Sequence, residues 1–183
     1  MSLKLDHLVI NSHFALDDSA TLFRALGFTL TPRGYHSLGS INHLIVFADH
    51  YLELIGLPVQ GEPLRRELLD TPPGIDGLVF ASDDAAQTEG ILQDAGFNVQ
   101  PVQHFSRHVA SGEETGEARF STVRLMPGSF SAGRVYFCQH HTPEWVWRAE
   151  WLQPGRIQGL TVVARDPAAT RKNYARLGDT DLL

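Results

Sequence analysis

The sequence predicts an α+β fold in which two βαβββ modules follow one another, with a partial third βα unit after them. The main observation is an internal repeat, because a short apolar unit occurs at residues 5–10, 75–80 and 157–162. Each copy precedes an acidic helix start and a glycine at the helix end, and such a repeat fixes the architecture. The 183 residues, of which 43% are hydrophobic, are also enough for one or two compact units.

The first module is assigned to residues 1–62. Its apolar runs are rich in Leu, Val and Ile and short enough for strands. A helix is predicted between Asp17, which offers an N-cap oxygen, and Gly27, where a left-handed stop is expected. Strands are predicted at residues 4–11, 28–31, 42–48 and 51–55, with a turn before the last of them.

The second module is assigned to residues 75–143, after a linker at residues 63–74. It repeats the order of the first module, with a helix from Asp84 or the preceding aspartate through Ala95. Residues 104–117 are polar and contain glycine, so they predict a long loop of the functional or mobile kind. Strands are predicted at residues 77–82, 97–102, 120–126 and 134–139.

Residues 144–183 are interpreted as a connector and the partial third unit. A strand is predicted at residues 160–164, and Asp166 followed by Pro167 is a strong helix start. The unit lacks three closing strands, so we expect it to pack on another module of this chain or of a partner chain. Either the natural protein is longer or the half-unit is an accessory.

Composition excludes several classes of function. The net charge of −6 argues against nucleic-acid binding, which requires a basic face. No apolar run approaches the ~20 residues that cross a bilayer, so no membrane association is expected. The amino terminus lacks the apolar stretch of a signal peptide, and one cysteine excludes an internal disulfide. These features favour a cytoplasmic protein.

Four segments carry a family resemblance: LDHLV at residues 5–9, LGSINH at 38–43, YLELI at 51–55 and FCQHHTPE at 137–144. With the tandem modules, they resemble the vicinal oxygen chelate superfamily, which includes glyoxalase I, extradiol dioxygenases and the fosfomycin and bleomycin resistance proteins. More narrowly, they are similar to its glyoxalase-like domain branch. The resemblance implies a curved, open mixed sheet around a central cavity that holds a metal.

The resemblance also implies which residues bind the metal, because the ligands of this superfamily come from the first and fourth strands of each module. In the first module these positions are His7 and Glu53. Imidazole and carboxylate are ligands for Zn, Ni, Mn or Fe, and Glu53 is also the candidate catalytic group. The alternative is a salt-bridged glutamate beside a hydrogen-bonded histidine, with no metal cofactor.

The second module departs from this ligand pattern. Aligned with the first module, it has Gly77 in place of His7 and Cys138 in place of Glu53. Cys138 and His140 share one face of a regular strand and are possible substitute ligands. The alternative is a small buried thiol beside a packed imidazole.

Substrate-binding candidates lie in two other segments. His36, Asn42 and His43 belong to residues 33–43, a polar stretch that suits the lip of a pocket. An ordinary exposed turn is the alternative interpretation. Arg124 is a candidate to bind a ligand carboxylate bidentately, although a strand arginine commonly faces solvent.

Three hypotheses about function follow. The first is a divalent-metal-dependent lyase or isomerase acting on a small oxygen-chelating substrate, with Glu53 or a nearby histidine moving a proton. The second is a metal-free protein that binds or sequesters a small molecule, of the bleomycin-resistance type. The third is a dimeric scaffold with a vestigial pocket. In each case a homodimer is expected, because the truncated third unit supplies a strand edge that invites pairing.

Overall fold

The computed structural model of the chain describes residues 2–61 and 65–179. Residues 63 and 64 of the predicted linker and residues 180–183 of the predicted third unit lie outside the described residues. The strands are β1 Leu5–Asn11, β2 Gly34–His36, β3 Ile41–Val46, β4 Tyr51–Gly56, β5 Gly74–Ala81, β6 Gln103–Ser111, β7 Glu114–Arg124 and β8 Arg134–His140. The helices are α1 Leu16–Ala25, α2 Ala85–Asp94 and α3 Pro167–Ala175, with short 3-10 turns at Arg66–Leu69, Pro143–Trp145 and Ala149–Trp151.

The eight strands form a closed barrel in the order β1-β4-β3-β2-β6-β7-β8-β5. The pairs β1/β4 and β5/β8 are parallel and the others are antiparallel. The α+β class is therefore confirmed, but the expected open sheet is wrong. The sheet closes because β2 pairs with β6 through Tyr35↔His108 and His36↔Arg107.

The long loop predicted at residues 104–117 is wrong, because this segment forms the hairpin of β6 and β7. Its strands alternate between buried residues such as Val109, Ala118 and Phe120 and more exposed polar ones. The polar face points away from the barrel core and hides the strand pattern. Gly112, with a φ of +59°, supplies the positive φ of the turn.

The strands predicted at residues 28–31 and 97–102 are also wrong. Each segment follows a helix-ending glycine and runs beside the sheet with single contacts in place of a ladder. Thr31 N donates to the Leu44 carbonyl at 2.9 Å, and Val99 forms an isolated bridge with Leu125. Each segment also reaches a proline, Pro32 or Pro101, which has no N–H for a ladder.

The helix predicted for the third unit is confirmed, and the strand predicted for it is wrong. The Asp166 side chain accepts from Ala169 N at 2.9 Å and begins α3. Residues 160–164 form no strand, because the eight-stranded barrel is closed and leaves no edge for another one. The unit packs on this chain, where Tyr174 contacts Phe130 with ring centroids 4.3 Å apart.

Alternate faces of the strands supply two cores. Inside the barrel, Val9 and Val79 belong to one buried cluster, and outside it Leu78 and Phe80 pack in a second cluster with Leu92 of α2. Within the described ranges, none of the helices is both long and apolar enough to span a membrane. The homodimer and the module boundaries stay predictions.

Candidate functional site

The barrel interior contains a small cavity of about 30 Å³. Inward-facing side chains from the strands line it, because every second residue of a strand points to the interior. Six of the eight predicted site residues line this cavity: His7, His36, Asn42, Glu53, Arg124 and Cys138.

His7 projects into the cavity from β1. A register shift between Leu5 and His7 gives β1 an irregularity at Asp6, and such bulges re-aim side chains. The Asp6 carboxylate lies 2.5 Å from Nδ1 of His7, so Nδ1 donates to it. The other nitrogen, Nε2, lies 3.7 Å from Oε2 of Glu53 and 3.5 Å from the Tyr136 hydroxyl.

The His7 ring is also held by packing. It stacks on Tyr51 with the ring centroids 4.3 Å apart. Asp6 therefore fixes which nitrogen carries the proton, and Tyr51 fixes the plane of the ring. This arrangement of a carboxylate behind an imidazole is the one that orients histidine ligands in metal sites.

Glu53 of β4 is the carboxylate at the centre of the cavity, and it is 5% exposed. Asn42 Nδ2 of β3 donates to its Oε1 at 2.7 Å. Burial raises the pKa of this carboxyl, but the facing imidazoles of His36 and His7 and the Asn42 amide outweigh burial. The pKa is therefore below its ordinary value, and Glu53 is ionised at neutral pH.

His36 of β2 faces the other oxygen of the same carboxylate. Its Nε2 lies 3.8 Å from Oε1 of Glu53 and 3.3 Å from Asn42 Nδ2, while its Nδ1 lies 2.8 Å from Ser40 Oγ. Because the Asn42 amide is a donor, Nε2 carries a lone pair. Burial lowers the pKa of His36 to about 3, so the ring is neutral at neutral pH.

These three side chains fit a divalent metal ion. Two imidazole nitrogens approach different oxygens of one ionised carboxylate, and Asp6, Ser40 and Asn42 orient them from behind. Nitrogen and carboxylate donors of this kind suit Zn, Ni, Mn or Fe. A buried carboxylate without such a partner is costly.

The four predicted metal ligands, which are His7, Glu53, Cys138 and His140, do not all line the same cavity. Cys138 lines the same cavity as His7 and Glu53, whereas His140 does not. Asp6, Cys138 and His140 form a second group able to hold a metal ion, with ligand atoms within 4.8 Å of one another. In it, Nε2 of His140 already donates to Asp6 at 3.0 Å.

The Cys138 thiol is held in its protonated form. Burial raises its pKa well above the ordinary value, and the negative charges of Asp6 and Glu53 add to the effect. A protonated thiol is a poor nucleophile and a poor ligand. In the metal-free protein, Cys138 is therefore a neutral thiol.

Gly77 has a packing reason to be a glycine. A Cβ added there would lie 2.8 Å from Cβ of Val9 and 3.6 Å from the Tyr136 ring. Val9 therefore occupies the space that a second-module ligand would need. The absence of a histidine at this position follows from close contact between β1 and β5.

Three arginines form a cationic wall of the same cavity: Arg65, Arg107 and Arg124. Arg65 donates to Glu67 at 2.8 Å and to Ser40 Oγ at 3.2 Å. Arg124 lies on the cavity side of β7, with its guanidinium carbon 5.8 Å from the Tyr136 ring centroid. Burial lowers the pKa of Arg124 to about 10.

Sequence reasoning missed Asp6, Arg65 and Arg107 as site residues. Arg107 lies in the segment predicted as a loop, and Arg65 directly follows the linker residues outside the described ranges. The signal that points to Arg107 is the alternation around it, since Phe105, Arg107 and Val109 occupy every second position.

His43 is not brought to the site. It follows Asn42 on β3, so its side chain points to the opposite face of the strand. There, its Nδ1 donates to the Thr31 carbonyl at 2.8 Å. A substrate-binding role for His43 is therefore not supported by its position, in contrast to Asn42 and His36.

A larger groove of about 560 Å³ adjoins the cavity. Arg124 and Tyr136 line both spaces, so these two side chains stand at the junction. The groove continues along the residues that connect β7 and β8, including Met126 and Phe130. Its size is that of a small-molecule site.

Comparison with known proteins places this geometry in a family context. A family model described as a glyoxalase-like domain matches residues 5–178. No curated protein matches the sequence.

Solved structures share the fold at low identity. A hypothetical protein from Staphylococcus aureus superposes with a TM-score of 0.75 at 14% identity, covering 98% of this chain and 79% of that one. A methylmalonyl-CoA epimerase in complex with methylmalonyl-CoA and NH4+ gives 0.57 at 17% identity, covering 76% and 95%. The methylmalonyl-CoA epimerase from Mycobacterium tuberculosis gives 0.54 at 15% identity, covering 74% and 87%.

Proposed function

The chain belongs to the glyoxalase-like domain family of the vicinal oxygen chelate superfamily, and from that premise we propose that it is a divalent-metal-dependent lyase or isomerase. Its substrate is a small molecule that chelates the metal through adjacent oxygens. The observation that carries the proposal is the Glu53 carboxylate, which is buried and ionised between two imidazoles.

The surroundings of Glu53 call for a cation. Among the described residues, Asn42 is the one group that donates a hydrogen bond to this carboxylate. The nitrogens of His7 and His36 lie at 3.7 and 3.8 Å, beyond ordinary hydrogen-bond distance. His7, Glu53 and His36 would hold the metal, which supplies Lewis-acid stabilisation of negative charge on a substrate oxygen.

The residues of the chain supply the proton transfer. Asn42 holds Oε1 of Glu53, which leaves Oε2 to take a proton from a substrate carbon beside a carbonyl. The electron pair of that C–H bond moves toward the carbonyl oxygen. Return of the proton from Glu53 to the opposite face of the same carbon restores the carbonyl and completes an epimerisation, and expulsion of a group with its bonding electrons from the next carbon completes an elimination.

Other groups around the cavity assist this step. Burial raises the pKa of Tyr136, so its hydroxyl stays protonated and donates a hydrogen bond to a substrate oxygen. The barrel excludes bulk water, because His7, Glu53 and Asn42 are each no more than 5% exposed. Electrostatic interactions are stronger in such a site than in water.

The structural neighbours support the isomerase arm of the proposal. Two of them are named as epimerases, and epimerisation begins with removal of a proton from carbon. The order of strand, helix and three strands in each half of this chain also supports treating it as two modules around one site.

A metal-free binding protein is the second candidate. It is favoured by the glycine at position 77 and the protonated thiol of Cys138, which stand where the first module has His7 and Glu53. Under this alternative, the cavity sequesters the ligand, and Glu53 is stabilised by its neighbours alone.

Elemental analysis tests the proposal. The wild-type protein, treated with chelator and reloaded separately with Zn, Ni, Mn and Fe, is expected to retain a stoichiometric ion. The His7→Ala and Glu53→Gln variants should lose it, whereas His108→Ala, which changes an exposed histidine on β6, should keep it. Absence of metal from the reloaded wild type would reject the metalloenzyme and leave the binding protein.

Cobalt substitution separates the two metal groups. A cobalt ion bound by His7, Glu53 and His36 gives no thiolate charge-transfer band. A strong band of that kind, lost in Cys138→Ser and kept in His7→Ala, would move the metal to the Asp6 group.

A further inference from the structure

We infer that the ligand of this site is a carboxylate that bears an apolar chain. The carboxylate enters the barrel and binds Arg107, with Arg65 beside it, while the chain lies in the adjoining groove. The inference deepens the proposed function and rests on it for the reaction, but the binding itself requires no metal.

The side chains that line the cavity leave an excess of positive charge. The cavity is lined by three guanidinium groups and one carboxylate, that of Glu53. Arg65 is paired with Glu67, whereas Arg107 and Arg124 form no ion pair with any residue in the described ranges. An excess of positive charge in a buried site is costly unless an anion neutralises it.

Buried donors without a partner in the described part of the chain also line the cavity. Arg107 is 2% exposed, and within the described part of the chain its Nη2 has no hydrogen-bond partner. Thr122 Oγ1 lines the same cavity and is likewise buried without one. A guanidinium binds carboxylates through two parallel N–H groups, and a hydroxyl adds a further donor.

The Arg107 side chain occupies space that is free because residue 34 is a glycine. A Cβ added at this glycine would overlap Cδ of Arg107 and Oδ1 of Asn42. The arginine therefore crosses over β2 through the space that the glycine leaves. This passage brings the guanidinium from β6 into the cavity beside His36, its register partner on β2.

The cavity and the adjoining groove differ greatly in volume. A cavity of about 30 Å³ has room for little more than two water molecules. The groove of about 560 Å³ accepts a much larger group. Because Arg124 and Tyr136 line both spaces, one ligand with a small head and a larger body fits them together.

The residues that line the groove indicate the chemistry of the ligand's body. Leu125, Met126, Phe130 and Val135 give it an apolar wall. The charged residues of its lining balance one another, because Glu67 and Asp70 are matched by Arg124 and Arg134. The body of the ligand is therefore apolar and uncharged, and the anionic group is confined to the head.

Titration calorimetry on chelator-treated protein tests the inference with four probes: octanoate, acetate, octanol and octyl phosphate. Octanoate should bind at least about tenfold more tightly than acetate, which lacks the chain, and octanol, which lacks the charge. Octyl phosphate should bind more weakly than octanoate, because its tetrahedral head is larger. Equal binding of octanol and octanoate would overturn the inference, and preference for octyl phosphate would overturn its carboxylate assignment.

Variants locate the two ends of the ligand. Arg107→Gln should weaken octanoate binding by about tenfold or more, and Arg107→Lys should restore part of it, because charge returns without the bidentate fork. Met126→Glu should weaken octanoate binding and leave acetate binding unchanged. Arg171→Gln and Leu22→Glu, at exposed positions of α3 and α1, are the matched controls. Unchanged octanoate affinity in folded Arg107→Gln would overturn the inference.

The proposed enzyme and the proposed ligand class can be rejected independently of each other. Octanoate binding that depends on Arg107, in a protein that binds no metal, would reject the lyase or isomerase and keep the ligand class. A stoichiometric metal that depends on His7, with no preference for octanoate, would keep the proposed enzyme and reject the carboxylate.

Discussion

At the scale of single residues, His36 links the site to stability. Its pKa falls from 6.5 to about 3 on burial, so the unfolded chain binds a proton that the folded protein does not. The free energy of unfolding should therefore fall as the pH drops below 6.5, by up to about 1.4 kcal/mol per pH unit from this one group. The loss should end near the folded pKa of about 3.

Denaturant unfolding measured between about pH 5 and pH 7 checks this slope, since the carboxylates titrate at lower pH. His36→Gln should reduce this slope and leave the part that comes from His43, whose pKa burial also lowers. His108→Gln, which changes an exposed histidine, should leave it as in the wild type. An equal slope in wild type and His36→Gln would contradict a neutral, buried imidazole.

Asp6 is expected to act through His7. The Asp6→Asn variant removes the negative charge that receives hydrogen bonds from His7 and His140, so the imidazole loses its fixed orientation. Substitution of such outer groups weakens metal binding by about 10- to 100-fold. Competition with a chromogenic chelator measures the change.

The chain contains a matched control for this variant. Asp49 is also followed by a histidine and lies 2.8 Å from its Nδ1, but the Asp49 side chain is exposed. Asp49→Asn should leave metal affinity unchanged. Equal losses in both variants would indicate a general effect on the fold.

Gly34 is expected to be intolerant of a side chain. Gly34→Ala places a methyl group against Arg107 and Asn42, and overpacking of this kind costs about 1–3 kcal/mol. Gly90→Ala is the control, because nothing lies within 4 Å of its added Cβ and the residue is inside α2. Denaturant unfolding should show a loss for Gly34→Ala and a gain of about 0.5–1 kcal/mol for Gly90→Ala.

At the scale of elements, the N-cap of α3 is expected to stabilise the helix of the third unit. Asp166→Ala removes the side-chain acceptor of the Ala169 amide and should cost about 1 kcal/mol. The readout is amide exchange of α3, which should rise while exchange in β1 stays unchanged. A uniform rise across the barrel would show that α3 does not unfold separately.

Elements with a strong local signal could be predicted from the sequence. Strands β1, β4 and β8 are short apolar runs, and α2 and α3 begin at aspartate caps. The hairpin of β6 and β7 could not, because its outward face is polar and its inward face includes Arg107. Barrel closure depends on pairing between residues far apart in the chain, which no local pattern encodes.

Part of the candidate site could also be predicted from the sequence. His7, Asn42 and Glu53 lie on strands that the repeat predicts, whereas His36 lies in the polar segment predicted as the lip of a pocket. The structure brings all four to one cavity. Arg107 was missed with its strand. Asp6 was missed because the irregularity in β1 that precedes His7 breaks the alternation from which faces are inferred.

At the scale of the whole molecule, the shorter of the two seams between the halves of the barrel is that of β2 and β6, and β2 also meets β3 through two register pairs. Strands β2 and β6 meet through two register pairs, whereas β1 and β5 meet over most of their length. Hydrogen exchange should therefore be fastest, among barrel strands, at Gly34–His36. Protection of β2 equal to that of β1 would show that the seam does not open separately.

Closure of this seam also completes the lining of the cavity. His36 and Arg107 are partners in the pair that closes the barrel, and they come from different halves of the chain. One of them faces the Glu53 carboxylate and the other is the proposed anchor of the ligand. The first half supplies His7, Glu53 and His36 and the second half supplies Arg107 and Tyr136, so the lining of the cavity is complete only when the barrel closes. A ligand that contacts both residues would stabilise the pairing of β2 with β6, and its binding would hold the two halves of the chain together.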